Sequence, residues 1–282
     1  MSRRRQKKRS QKVGAPRVRG GAGLRRAAAM LVAVALVGGL VAATLAFSGV
    51  LGGSSAGPKS AAIVDQLSLT RPNRDFAAKA GDLLRYAGYN VDYYPGEQVT
   101  VDFYRTLPLR GYDVLILRVH SGIVREIRAT TGEETRTEYV SLFSGEPYDE
   151  TKYLDDRYPQ VQVDRVSRAT YYDGAPPLFG IAPEFVKHSM RGRFDKTLVI
   201  LMGCDGLRST RMAEDFVEKG ASAFVSWSRS VSGSHNDAAT LRLLAKLLVD
   251  GLTPGEAVAQ TNAELGPDPG YGAELRVYPP EG

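Results

Sequence analysis

Two residues in this chain have the type and setting for nucleophilic chemistry. Cys204 is the only cysteine in 282 residues. It follows the apolar run Thr197-Leu198-Val199-Ile200-Leu201-Met202 and stands in the turn Gly203-Cys204-Asp205-Gly206. A thiol at the carboxyl end of a buried strand sits where open α/β sheets place their chemistry. His120 stands in the same relation to an earlier run: Val114-Leu115-Ile116-Leu117 is followed by Arg118-Val119-His120-Ser121-Gly122. In a parallel sheet the two strand ends share one edge. A thiol attacks as the thiolate, and an adjacent imidazole or helix N-terminus lowers its pKa from about 8.5. The residues after Cys204 are expected to open a helix. Its unpaired N–H groups, with those of Ser121 and Gly122, would suit an oxyanion.

Asp205, Trp227 and His235 are candidate pocket residues. Asp205 either caps the next helix or faces a basic substrate side chain. Trp227 is either core or a substrate platform. His235 belongs to the loop and helix cap after the Trp227 strand, and His188 is expected in solvent. One cysteine and three scattered histidines make no metal-ligand spacing. No glycine-rich phosphate loop follows the first strand. Neither a metal nor a cofactor is expected.

The elements that must position these residues read as strands alternating with helices. Strands are expected over Ala61–Leu67, Asn90–Tyr94, Val114–Leu117, Thr197–Met202 and Ala221–Trp227, with an edge strand at Glu274–Tyr278. A helix capped by Asp75 should run to Ala87, with Phe76, Ala80, Leu83, Leu84 and Ala87 on one face and Gly88 ending it. A short helical segment follows at Val101–Leu107. Later helices should span Arg211–Lys219, then start at the capping pattern Ser234-His235-Asn236-Asp237, then at the capping box Thr253-Pro254-Gly255-Glu256. The alternation implies a mostly parallel sheet with right-handed crossovers. Residues 123–196 are an insertion. A hairpin is expected over Val124–Thr130 and Thr135–Phe143, then polar, tyrosine-rich chain over the surface, then a short helix from Ile181 with Pro183 in its first turn.

Charge is unevenly placed. Met1–Arg26 carries 11 of the 37 basic residues and no acid, which leaves 26 basic against 31 acidic residues in the rest. The folded part is mildly acidic, so its charge argues against nucleic acid. The basic tail suits anionic lipid headgroups. Ala27–Leu51 is 25 residues without a charge, long enough to span a bilayer. The reading is a cytoplasmic tail over 1–26, a transmembrane helix over 27–51 with a cleaved signal peptide as its rival, a linker over 52–60 and an α/β domain over 61–282. The domain then faces the extracytoplasmic side of the cell membrane. A single cysteine excludes an intramolecular disulfide.

Strand–His120-Ser121-Gly122, strand–Gly203-Cys204-Asp205-Gly206, a helix, then Gly220-Ala221-Ser222-Ala223-Phe224-Val225-Ser226-Trp227 resembles the caspase-like fold of caspases, gingipains, legumains, clostripain-type proteases and CHAT domains. The resemblance covers Ala61 to Leu265. It implies a three-layer α/β/α sandwich and a cysteine peptidase, with His120 as acid–base, Cys204 as nucleophile, and the backbone of Gly122 and Cys204 as oxyanion donors. The partner is then a peptide or protein substrate. The family commonly has glycine directly after the histidine, where this chain has Ser121. It commonly has alanine or a similar small residue before the cysteine, where this chain has Gly203. A catalytically inactive binding or scaffolding domain of the same fold is the alternative.

Overall fold

The computed structural model describes residues 57–130, 133–157 and 165–280. The basic tail, the apolar segment 27–51 and most of the linker lie outside the described residues. Among the described residues no helix is long and apolar enough to cross a membrane.

The structure is mixed α/β. A six-stranded sheet runs in the order β10-β9-β8-β3-β1-β2, formed by β1 (Ser60–Asp65), β2 (Asn90–Pro95), β3 (Val114–Arg118), β8 (Leu198–Leu201), β9 (Ala223–Trp227) and β10 (Leu275–Tyr278). All neighbours are parallel except β10, which runs antiparallel to β9. Alternation along these strands divides the core in two. Ala62, Val64, Leu115, Leu117, Val199, Leu201 and Phe224 pack on one face. Ala61, Ile63, Val114, Ile116, Ile200, Val225 and Trp227 pack on the other. A strand buried on both faces has no polar side to alternate with, and that is why these segments read as unbroken apolar runs.

Helices cover both faces. Phe76, Ala80 and Leu84 of α1 (Arg74–Tyr86) lie on the Trp227 side with residues of α6 (Gly233–Leu248) and α7 (Pro254–Leu265). The opposite side is packed by α2 (Val101–Thr106), α4 (Pro183–His188) and α5 (Arg211–Glu218). The capping box of α7 is present: Thr253 and Glu256 bond reciprocally, with Pro254 in the first turn. Gly88 takes φ +87° just beyond α1, where an L side chain would be strained.

Several expectations change. Asn73, not Asp75, caps α1, accepting from the Phe76 N–H at 3.1 Å. Asp75 pairs with Lys79 instead. The insertion is more regular than its composition suggests. Its hairpin is longer than expected, β4 (Ser121–Thr130) against β5 (Glu133–Pro147), and continues into β7 (Leu178–Ile181) and β6 (Val166–Ala169) as a second, antiparallel sheet. Ile181 therefore ends a strand, and α4 begins at Pro183. The four-residue helix α3 (Leu154–Arg157) is the only helix between β5 and β6 among the described residues. These later strands are only four residues long, too short to show an alternation in sequence.

The packing of α4 on α5 leaves one polar atom without a partner among the described residues, Asp215 Oδ2. Burial, then repulsion from Glu184, pushes the Asp215 carboxyl up to about 6. A carboxyl raised in the folded state stabilises it when protonated, and that stability is lost as pH rises through about 6. Asp215→Asn should therefore raise the urea midpoint at pH 7.5 and flatten the change in stability between pH 4 and 6. Urea titrations of both proteins across that range check this.

Candidate active site

The register of the central strands sets the backbones of His120 and Cys204 at neighbouring strand ends. β3 and β8 pair as Val114↔Leu198 through Leu117↔Leu201, an offset of 84 residues. The Met202 N–H extends the ladder to the Leu117 carbonyl at 2.9 Å. Carried three residues further, the same offset sets His120 and Cys204 at matching positions just beyond the two strand ends. Contacts beyond the ladder agree. Ser121 Oγ donates to the Cys204 carbonyl at 2.6 Å. A Cβ on Gly203 would stand 2.1 Å from Ser121 Oγ and 3.0 Å from the Val119 carbonyl. Glycine before the cysteine is thus a packing requirement of the junction between the two loops.

His120 is held from four directions. Its Nε2 lies 3.0 Å from Thr70 Oγ1. Its backbone N–H donates to Gln66 Oε1 at 3.0 Å, and its carbonyl accepts from Phe143 N–H at 2.9 Å. The Tyr171 ring packs on the imidazole at 4.6 Å between centroids, and Phe143 at 6.0 Å. Burial, followed by the positive charges of Arg71 and Arg118, lowers its pKa to about 4. At neutral pH the imidazole is uncharged.

Cys204 is half-buried. Its Sγ donates to the Val231 carbonyl at 3.8 Å. Burial pushes the thiol up, against the opposing effects of that contact and of Arg71. Arg71 therefore acts on both members of the pair. The chain after Cys204 does not open a helix: residues 204–210 are turns and bends, and α5 starts at Arg211. The expected helix N-terminus at the thiol is absent because Asp205 takes φ +59° and the N–H groups of Asp205 and Leu207 donate to Arg229 and Trp227 carbonyls. An aspartate tolerates this left-handed geometry better than most residues. The Cys204 N–H has no acceptor among the described residues.

Beneath the pair lies a buried ionic cluster. Arg118, 3% exposed, bonds Asp65 at 2.7 Å and Asp237 at 3.2 Å, and its Nη2 donates to the Arg71 carbonyl at 3.0 Å. Asp237 also accepts from Asn73 Nδ2 at 2.8 Å. Asp237 is thus not a capping residue. α6 starts earlier, at Gly233, without a side-chain cap, and Asp237 is drawn to the guanidinium.

The remaining candidates are placed as follows. Gly122 lies in the β4–β5 ladder opposite Ser141, two residues on from the hydrogen-bonded His120–Phe143 position. The alternation of an antiparallel ladder turns its N–H into β5, away from an oxyanion. Ser121, one residue earlier, has the opposite orientation. Trp227 is 1% exposed and donates through Nε1 to Asn236 Oδ1 at 2.9 Å, so it is core and offers no face to a substrate. His235 lies in the first turn of α6, half-buried, 5.5 Å from the Trp227 ring. Asp205 accepts from Ser230 Oγ at 2.9 Å and faces Arg208 at 3.6 Å. It lines a cavity of about 500 Å³ with Arg208, Arg229, Tyr271 and Arg276. His188 is exposed and pairs with Glu184 at 3.1 Å. Among the described residues no group of His, Cys, Asp and Glu is arranged to hold a metal ion. Gln66, Thr70, Arg71, Arg118 and Tyr171 belong to the site and were not legible in the sequence. Only Arg118, a charge inside an apolar strand, carried a signal.

A neutral imidazole and a neutral thiol at neighbouring strand ends, with a free N–H at the cysteine, are the groups that attack on a carbonyl with proton transfer to a ring requires. The junction between the loops has no room for a methyl group at residue 203. Gly203→Ala should slow alkylation of Cys204 or expose it, changing the iodoacetamide rate by about tenfold, and should lower the melting temperature by several degrees. Intact-mass kinetics and a melting curve check both. No protein-family model matches the chain, and no curated protein matches it.

Proposed function

We propose that the chain is a membrane-anchored cysteine peptidase of caspase-like architecture, a three-layer α/β/α domain that hydrolyses peptide bonds through His120 and Cys204. The observation that carries this reading is the shared register of β3 and β8, with Ser121 bonded to the Cys204 carbonyl. The sheet order, with one antiparallel edge strand, supports the same architecture. The segment 27–51 supports anchoring, by its length and lack of charge.

The chemistry starts from neutral groups. Thr70 Oγ1 lies 3.0 Å from Nε2; in this proposal Nε2 carries the proton and donates, which leaves the ring's lone pair on Nδ1. The sulfur attacks the scissile carbonyl carbon while its proton passes to Nδ1. The oxyanion is met by the N–H groups of Cys204 and Ser121. The imidazolium then protonates the leaving amine as the C–N bond breaks, and water hydrolyses the thioester.

A non-catalytic scaffold is the second reading. It is favoured by the direction of the thiol, toward the Val231 carbonyl, and by its raised pKa. Digestion of a peptide library, read by mass spectrometry, separates the two. The full-length protein should cleave, and Cys204→Ala and His120→Ala should each lose about 10²-fold or more of the rate. No cleavage by the wild type under any condition would leave the scaffold reading.

A further inference from the structure

His120 is enclosed by residues from a part of the chain far from both strand ends. Tyr171 belongs to the loop 170–177 that joins β6 to β7 in the second sheet. Its ring covers the imidazole at 4.6 Å and stacks on Phe143 at 5.3 Å. Its hydroxyl accepts from Gln66 Nε2 at 2.5 Å. The other end of the same amide, Gln66 Oε1, accepts the His120 backbone N–H. Gln66 is fully buried. One side-chain amide therefore measures the separation between the His120 backbone and the ring that covers its imidazole. A buried amide with both ends bonded has a large penalty for losing either partner.

From this juxtaposition we infer that Tyr171, held by Gln66, is a positioning residue for His120: it keeps water off the imidazole and fixes the ring while Thr70 orients its Nε2. This rests on the peptidase reading of the site. In that reading, the second sheet completes the active site by delivering one aromatic side chain. The loop 170–177 offers a route to control the pair from outside the central sheet, because displacing Tyr171 admits solvent to His120.

The charged groups that act on the imidazole are Arg71 from the segment after β1 and Arg118 from β3; the Tyr171 hydroxyl is turned to Gln66 and the Cys204 thiol to the Val231 carbonyl. Arg118 is balanced by Asp65 and Asp237. Among the described residues no carboxylate pairs with His120. Removing the covering ring leaves these charges in place and restores hydration, which favours the imidazolium.

The test is an NMR titration of the imidazole resonances of the full-length protein. The chain has only three histidines, so His188 and His235 serve as internal references. In Tyr171→Ala the His120 midpoint should rise by about one pH unit toward its ordinary value, with the other two unmoved. Tyr171→Phe keeps the ring, so its His120 midpoint should stay closer to wild type than that of the alanine variant, while the unpaired Gln66 amide lowers its melting temperature. Where Tyr171→Ala lowers the melting temperature sharply, Tyr171→Leu keeps bulk without the ring or hydroxyl and answers the same question. An unchanged His120 midpoint in the alanine or leucine variant overturns the proposal. The titration needs no substrate, so its result is separate from that of the peptide digestion. If the wild type cleaves peptides, Tyr171→Ala should lower kcat with KM little changed. An unaltered kcat would confine Tyr171 to packing and overturn its positioning role.

Discussion

Everything at the proposed site depends on the Arg118 guanidinium lying inside the sheet. It gathers Asp65 at the end of β1, Asp237 in the second turn of α6, and the Arg71 carbonyl in the loop before α1. Four separate stretches of chain thus meet at one charge, directly under the two residues that could do chemistry. A buried guanidinium with one buried and one half-buried carboxylate is stable only as a set: losing one member strands the others in a medium that penalises unpaired charge. The cluster works less as a source of stability than as a constraint on where β1, β3, α6 and the loop 66–73 can sit relative to one another. That loop supplies Thr70 and Arg71, and residue 66 supplies the buried amide.

The same constraint sets the electrostatics. Arg118 and Arg71 stand near an imidazole that is already poorly solvated, and all three effects favour its neutral form. Burial likewise favours the neutral thiol. A resting thiolate–imidazolium pair needs the opposite environment, with a hydrated imidazole or a nearby carboxylate. On the proposed peptidase reading, this environment suits proton transfer during attack. The His120 ring remains a base at neutral pH because it is not already protonated, and its low basicity makes the imidazolium a strong acid for the leaving amine. The cost is a folded state that weakens in acid. A depressed histidine adds stability above about pH 6.5, and that stability is lost as pH falls toward about 4.

The middle of the central sheet was legible because β1, β3, β8 and β9 are buried on both faces, and an unbroken apolar run is what that burial selects. The positions of His120 and Cys204 followed from where those runs stop. The 84-residue spacing between them is the offset of the β3–β8 register. Other features depend on contacts that no local pattern announces. Gln66 and Tyr171 are 105 residues apart and meet only through tertiary packing. The capping pattern Ser234–Asp237 was a false signal, since a buried guanidinium competes for the acid more strongly than a helix end does. The turn after Cys204 reads as a helix start from its composition. A left-handed Asp205 and two backbone bonds to the 227–229 segment delay the helix to Arg211. Gly122 was read as an open backbone donor, but a strand begins one residue before it.

The central claim is that His120 and Cys204 act as one site whose members are both neutral at rest. The pH dependence of Cys204 labelling by a peptidyl electrophile, in wild type and His120→Ala, tests it most directly. The rate in the wild type should persist as pH falls through 6.5 and be lost only near pH 4, and the His120→Ala protein should react about 10²-fold more slowly at pH 7. Equal rates in the two proteins at every pH would contradict the account.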